Sequence, residues 1–483
     1  MKNTSKRLII LFIISISILV VLKSVNFGNK KTQIILISID TLRADHLTPY
    51  GYYRDTSPNL SNLTKESVMY TYAYPNGCWT MPSHMSLLTG TLTSRHGVNA
   101  NFGIFQKEIA GKEHPILKEH PILKDSIKTI SEVLKNNKIN TIKIARLPDE
   151  LGFNRGFNYN ENIDPFQKTD SFNIILEQLE NNKEDNFFLF IHTWMVHAPY
   201  SNSYFLKKDK LTKEKLEFID NFRNLEKGGF RSREHEFSLF LQQNNLYNLV
   251  DCIDLYDGGI HLVDQYIGKI INKCKHFGIY DNLMFIVVSD HGEHFDDHFP
   301  NEFYGVHGSQ FYEEFIRVPL IIKYPQNSNS EIINNPVSLI DVYPTILDYY
   351  KIDIPSYVQG NSLLQPFFKR KNAYIVSEST ASKDEKKMFR FGDFKYIITM
   401  HDPSGPGRVN WDSITERKLF NLQDDIFERK NLNEDLRYKP ICIDFEKMLF
   451  KIINNSTKIG GLQEKTMIDK ETIEHLKALG YLR

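Results

Sequence analysis

The chain has 483 residues, 41% hydrophobic and 24% charged, with Lys+Arg and Asp+Glu equal at 59 each. This is the balance of an ordinary globular protein, long enough for one large domain or for a large and a small one. A neutral total argues against nucleic acid or a general polyanion as partner.

The chain opens with Lys2, Lys6 and Arg7, then an uncharged run from Leu8 to Leu22, then Lys23, Lys30 and Lys31. A positive start followed by an apolar run is an export pattern. The run is short of the about 20 residues of a full span, yet no small-x-small cleavage site follows it. Residues 1–31 are therefore read as a signal anchor on the membrane, with the rest of the chain outside the cytoplasm. If the segment is cleaved, the protein is secreted or periplasmic.

Apolar runs predict buried strands over Gln33 to Ile39, Ile139 to Ala145, Asn186 to Trp194, Asn282 to Ser289 and Val318 to Lys323. Between them, helical spacing marks Pro58 to Ser67, Ser126 to Lys138, Phe172 to Asn181, Leu246 to Phe277 and Leu339 to Tyr350. Continuous apolar strands alternating with amphipathic helices predict an α/β fold, a largely parallel sheet sandwiched by helices. After about residue 365 the texture changes. Ala373 to Ser377 and Lys387 to Met400 read as partly polar strands, and Lys470 to Leu482 as a closing helix. The expected units are the N-terminal segment 1–31, an α/β domain over 32–365, and a smaller sheet-plus-helix subdomain over 366–483. The charged stretch Lys207 to Gln243 reads as an insertion. Lys112 to Leu117, repeated unchanged at Lys118 to Leu123, reads as a tolerated surface loop. Cys78, Cys252, Cys274 and Cys442 show no paired spacing and read as unpaired core residues.

Ligands of an open parallel sheet lie beyond the carboxyl ends of its strands. Asp40, Thr41 and Arg43 follow the first run. His192 lies in the third run and His197 after it. Asp290, His291 and Glu293 follow the fourth. Three strands delivering acids and histidines to one edge predict a metal site. Trp79-Thr80-Met81-Pro82-Ser83-His84 leads into an apolar stretch closed by Gly90. Pro82 suits a first helical turn, which places Thr80 just ahead of a helix N-terminus, where an anion is favoured. Taken alone, Thr80 there reads as an N-cap. His307, between Gly305 and Gly308, is a functional candidate, whereas His294 and His298 read as solvated bystanders. Asp257 and His261, four apart on a helix, read as a surface pair.

These pieces together resemble the sulfatase-like branch of the alkaline phosphatase superfamily. The matching blocks are Ile34 to His46, Trp79 to Gly90, Arg95-His96-Gly97-Val98, His197-Ala198-Pro199-Tyr200 and Tyr256-Asp257-Gly258. They continue through Ser289-Asp290-His291-Gly292-Glu293, His307-Gly308, Arg317-Val318-Pro319-Leu320 and the ending Leu476 to Leu482. The resemblance implies an alkaline-phosphatase-like sandwich with a smaller C-terminal antiparallel sheet. It implies a divalent metal held by Asp40, Asp290 and His291, with Thr80 beside it as nucleophile. His197 and His307 then act on the leaving group, and Arg43, His84 and His192 are substrate contacts.

Sulfatases convert a Cys or Ser within Cys/Ser-x-Pro-Ser-Arg to formylglycine, whereas here the stretch is Thr80-Met81-Pro82-Ser83-His84. Thr41 replaces a second metal-binding Asp, and His291 an Asn. The usual Lys-x-His is not evident near Lys143 to Leu147. These departures shift the expectation toward phosphate esters: a metal-dependent hydrolase or phosphotransferase using a Thr80 nucleophile, on a lipid headgroup or a glycan-linked ester. A sulfuric ester hydrolase is the alternative, and a non-catalytic binding protein on the same fold a third reading. Imidazole ligation predicts zinc or manganese before calcium, as one or two ions.

Overall fold

The computed structural model describes residues 31–98, 122–198, 200, 202–206, 249–295, 297–298, 307–308, 310–366, 370, 374–379, 384–401 and 411–457. The anchor expected over 1–31 lies outside them except for Lys31. So do most of the duplicated loop, the insertion Lys207 to Gln243 and the closing helix Lys470 to Leu482. Among the described residues no helix is long and apolar enough to cross a membrane.

The large sheet has nine strands: β1 Gln33–Ile39, β2 Val68–Tyr74, β3 Asn140–Ala145, β4 Tyr159–Glu161, β5 Phe187–Thr193, β6 Leu283–Val288, β7 Val318–Lys323, β8 Glu331–Ile333 and β9 Val337–Ser338. Their order is β4-β3-β5-β1-β6-β7-β2-β8, with β9 also on β2. The five apolar runs supply five adjacent strands, β3, β5, β1, β6 and β7. The first four of these are parallel, and β7 runs antiparallel to both β6 and β2. Every residue of β1, β5, β6 and β7 is buried. Helices cover both faces. One face packs Ile35, Ile37, Leu189, Phe285 and Val287 against the helix Leu249–His276. The other packs Leu36, Phe190 and Ile286 against the helices Thr80–Thr89 and Val342–Tyr349. The four cysteines are buried and unpaired, as small core residues.

A second, antiparallel sheet follows in the order β10 Tyr374–Ser379, β11 Asp384–Phe391, β12 Phe394–His401, β13 Ile414–Asn421. Here the expected single strand Lys387 to Met400 is two. The chain reverses at Gly392, whose φ of 59° lies in the left-handed region that favours glycine. A helix unforeseen in the sequence, Lys439–Thr457, packs Ile441, Phe445, Leu449, Ile452 and Ile453 onto this sheet. Its apolar spacing of four, four and three is the amphipathic signal, hidden in a charged stretch. The helix expected from Ser126 starts only at Ile130. There the Thr129 hydroxyl accepts from Glu132 N, and the Glu132 carboxylate accepts from Thr129 N, as a capping box.

Candidate active site and metal centre

Strand register places the site. Ser38 of β1 pairs with His192 of β5 on one side and Val288 of β6 on the other. Two residues beyond Ser38 and Val288 stand Asp40 and Asp290, level with each other at the carboxyl edge. Both are fully buried. His291 Nε2 lies 3.3 Å from Asp40 Oδ1 and 3.5 Å from Asp290 Oδ2. Thr80 Oγ1 completes the group at 3.4 Å from both Asp40 Oδ2 and His291 Nε2.

Thr80 differs from the N-cap reading. Trp79 is the N-cap, without a side-chain cap bond, and Thr80 is the first helical residue. Its hydroxyl points to the carboxylates. The helix start is pinned by Ser83, whose hydroxyl donates to the Asp290 carbonyl at 2.6 Å. Thr41 has φ 58°, a left-handed conformation that costs a β-branched residue about 1–3 kcal/mol. Tyr256 holds it by donating to the Thr41 carbonyl at 2.7 Å while accepting from Arg43 N at 2.8 Å. This strain carries the chain sharply away after Asp40.

The electrostatics ask for a cation. Burial raises the carboxyl groups of both Asp40 and Asp290 above the usual range, and the Asp40 charge adds to the effect on Asp290. Burial lowers His291, but Asp290 and Asp40 outweigh it and hold the imidazole above its ordinary value. Asp40 Oδ1 and Asp290 Oδ2 make no hydrogen bond. Buried, unsatisfied carboxylate oxygens are costly. Both oxygens face His291 Nε2, at 3.3 and 3.5 Å, and the Thr80 hydroxyl lies 3.4 Å from that nitrogen; together they form a donor set that fits a divalent cation. Asp40, Asp290 and His291 are close enough to share one ion.

His197 and His307 form a wall beside this group. The His307 ring centroid is 4.4 Å from that of His291 and 4.9 Å from that of His197. His197 Nδ1 donates to the Ala198 carbonyl at 2.6 Å, and burial lowers its pKa to about 4. His307 Nδ1 lies 3.2 Å from Glu293 Oε1. Glu293, fully buried, orients this imidazole. The sequence placed it at the right edge but gave it no role, because nothing local links it to His307, fourteen residues on. His84 and His192 are fully buried behind the carboxylates, their rings 4.4 Å apart. Arg43 is engaged elsewhere: Asp45 and Asp297 bind it at 2.7 and 2.6 Å. A substrate anion at Arg43 would have to displace one of them.

Three readings change. Asp257 is no surface residue. It is fully buried and gathers His46 Nδ1 at 2.8 Å, Tyr52 Oη at 2.8 Å and Arg54 at 2.7 Å. His261 stacks on Tyr204 with centroids 4.0 Å apart instead of pairing with it. His294 is buried against Phe315, and His298 bridges Glu314, at 2.7 Å, to the Phe427 carbonyl, also at 2.7 Å. Both belong to the packing of the loop, not to solvent.

The sulfatase family profile matches residues 32–352. The chain belongs to the sulfatase family. It is 25% identical to an arylsulfatase of Clostridium perfringens over 87% of this chain and 94% of that protein. It is 21% identical to an ulvan-active sulfatase of Formosa agariphila over 88% of this chain and 75% of the relative. Among solved structures, one in complex with its substrate D-glucosamine-2-N,6-O-disulfate superposes with TM-score 0.63 at 17% identity, over 90% of this chain and all of the other. The phosphonate monoester hydrolase of Agrobacterium radiobacter superposes with TM-score 0.62 at 16% identity, over 88% and 96%. At such identities these structures share the fold. A sulfatase-family hydrolase on this sandwich is thus established, and both of these sequence relatives, matched along most of the chain, are named sulfatases. These relatives support the sulfuric ester alternative better than the expected preference for phosphate esters.

Proposed function

We propose that this sulfatase-family protein hydrolyses sulfuric esters of glycans, with Thr80 as nucleophile. The observation that carries the substrate class is the similarity, along nearly the whole chain, to an arylsulfatase and an ulvan-active sulfatase. Asp40, Asp290 and His291 would hold a divalent cation, which would lower the pKa of an adjacent hydroxyl and offset charge on the transferred group. Imidazole among the donors favours zinc or manganese over calcium.

Thr80, half-buried, attacks sulfur through Oγ1 in line with the ester oxygen, its hydroxyl proton passing to water and returning when Thr80 is released. The Thr80 O–S bond forms, the S–O bond to the sugar breaks, and the leaving oxygen takes a proton from His307. Glu293 fixes the His307 ring for this transfer, and His197 lies against its other side. Water, with His307 now as base, then releases sulfate from Thr80. Unlike a formylglycine aldehyde, the threonine hydroxyl needs no modification. A second reading, phosphate or phosphonate ester hydrolysis, is favoured by that same unmodified hydroxyl and by His291 among the metal donors.

The test is turnover of nitrophenyl sulfate, nitrophenyl phosphate and a phenyl phosphonate ester by the purified metal-loaded chain, beside Thr80→Ala. Sulfate turnover should dominate and fall by about a thousandfold or more in the variant. Faster phosphate or phosphonate turnover establishes the second reading. Sulfate turnover untouched by the variant removes Thr80 as nucleophile.

A further inference from the structure

Behind the Asp40–Asp290 pair stands a second set of donors that the proposed reaction does not use. His84 comes from the first turns of the helix Thr80–Thr89, and His192 from the end of β5. Both side chains are fully buried. Neither nitrogen of His192 makes a hydrogen bond. Its Nε2 points at Asp40 Oδ2 from 3.3 Å. His84 Nδ1 lies 3.4 Å from Asp290 Oδ2. That same oxygen faces His291 Nε2 at 3.5 Å and also makes no hydrogen bond. A buried imidazole with both nitrogens unmet carries a desolvation penalty that folding does not repay. A carboxylate oxygen between two imidazoles has the geometry of a bridge.

The geometry points to a second divalent cation, of the imidazole-preferring class such as zinc or manganese, held by His84, His192 and Asp290. Asp290 would bridge it to the ion of Asp40, Asp290 and His291. These residues are close enough to share an ion, and the two groups have Asp290 in common. Charge supports the pair. The buried carboxylates Asp40, Asp290 and Glu293 leave a negative centre around one dication and a positive centre around two. The second attracts an anionic ester more strongly, and His84 stands where the sulfatase signature resembled in the sequence has an arginine. Binding at His84 Nδ1 replaces its 2.8 Å contact with the Thr80 carbonyl, and Nε2 then donates to Ser38 Oγ, now at 2.9 Å. Occupancy of this pocket thereby reaches the backbone of Thr80.

This inference rests on the first ion of the proposed function, and the experiment separates the two. The full chain is stripped with chelator, reloaded with zinc or manganese and desalted, and metal per chain is measured by plasma mass spectrometry. Manganese-loaded protein is also examined by electron paramagnetic resonance for a spin-coupled pair. The expected result is two ions and a coupled pair in the wild type. His192→Gln should hold one ion and show no coupling, while melting close to the wild type in the stripped state. His84→Gln serves as a second variant should His192→Gln fail to fold, and the wild-type spectrum needs no variant. One ion in both proteins overturns the second pocket and leaves the first standing. One ion in the wild type and none in His192→Gln assigns His192 to the first ion and also overturns it. No ion in either sinks both readings.

Discussion

The protein buries charge in two places and treats it in opposite ways. At the carboxyl edge of the large sheet, Asp40 and Asp290 each leave one oxygen unbonded, with histidines and the Thr80 hydroxyl as their side-chain neighbours. Around the small sheet, by contrast, four buried carboxylates each have a lysine. Lys395 of β12 binds Glu313 at 2.9 Å and Glu428 at 2.6 Å, and Lys387 of β11 binds Glu378 at 2.8 Å and also Glu385. Burial lowers the Lys395 ammonium, but Glu313 and Glu428 outweigh it and raise it above its ordinary value. These pairs are closed and structural. Lys395 fastens the small sheet to Glu313 of the segment 311–317, and Ser379, donating to the Gly308 carbonyl at 2.8 Å, fastens it to the residue after His307. The first cluster has no lysine or arginine within it, and its residues are close enough to share one ion. Burial of charge alone therefore does not mark a functional site here; burial without an internal counter-ion does.

The largest expected effect tests the closed cluster. Lys395→Met leaves Glu313 and Glu428 buried without their cation and should cost about 3–5 kcal/mol of unfolding free energy. Denaturant titration checks this, and a loss under 1 kcal/mol would show the cluster to be as open as the other. A smaller effect belongs to the hinge between the two. Glu293→Gln removes the carboxylate that orients His307 and should lower kcat by about 10–100-fold with a near-native melting temperature. An equal loss confined to KM would place Glu293 in binding instead.

The smallest effect is a pH dependence at the rim. His298 is lowered by burial, but the hydrogen bond and charge of Glu314 outweigh this and raise it above its ordinary value. A raised histidine contributes stability that is full below the unfolded pKa of about 6.5 and is lost as pH rises through the folded pKa. The stability advantage of the wild type over His298→Gln should therefore be greatest at acidic pH and shrink above neutrality. Thermal melts from pH 5.5 to 9 read this directly, and a constant difference would show that packing on Tyr312, rather than the charge, sustains it.

Legibility in the sequence followed burial. Runs such as Gln33–Ile39 and Val318–Lys323 read as strands because both of their faces are covered, so no alternation blurs them. Val68–Tyr74, tyrosine-rich and partly exposed at Thr71 and Tyr72, did not stand out as such a run, although it is the strand that feeds Thr80. Asp40, Asp290 and His291 were legible because they stand directly after apolar strands. His294, His298 and Asp257 were misread because their partners, Phe315, Glu314 and His46, come from other loops.

The sequence by itself determined the layered α/β architecture, the edge that carries the chemistry and the family, since each depends on local pattern or on short blocks in fixed order. Tertiary structure decided which groups are left uncompensated. Only strand register sets Ser38 between His192 and Val288, and so Asp40 beside Asp290. Only the placement of the helix Thr80–Thr89 across that edge turns the Thr80 hydroxyl toward them. Distances of 3–4 Å between residues up to 211 positions apart belong to packing, which no local pattern encodes.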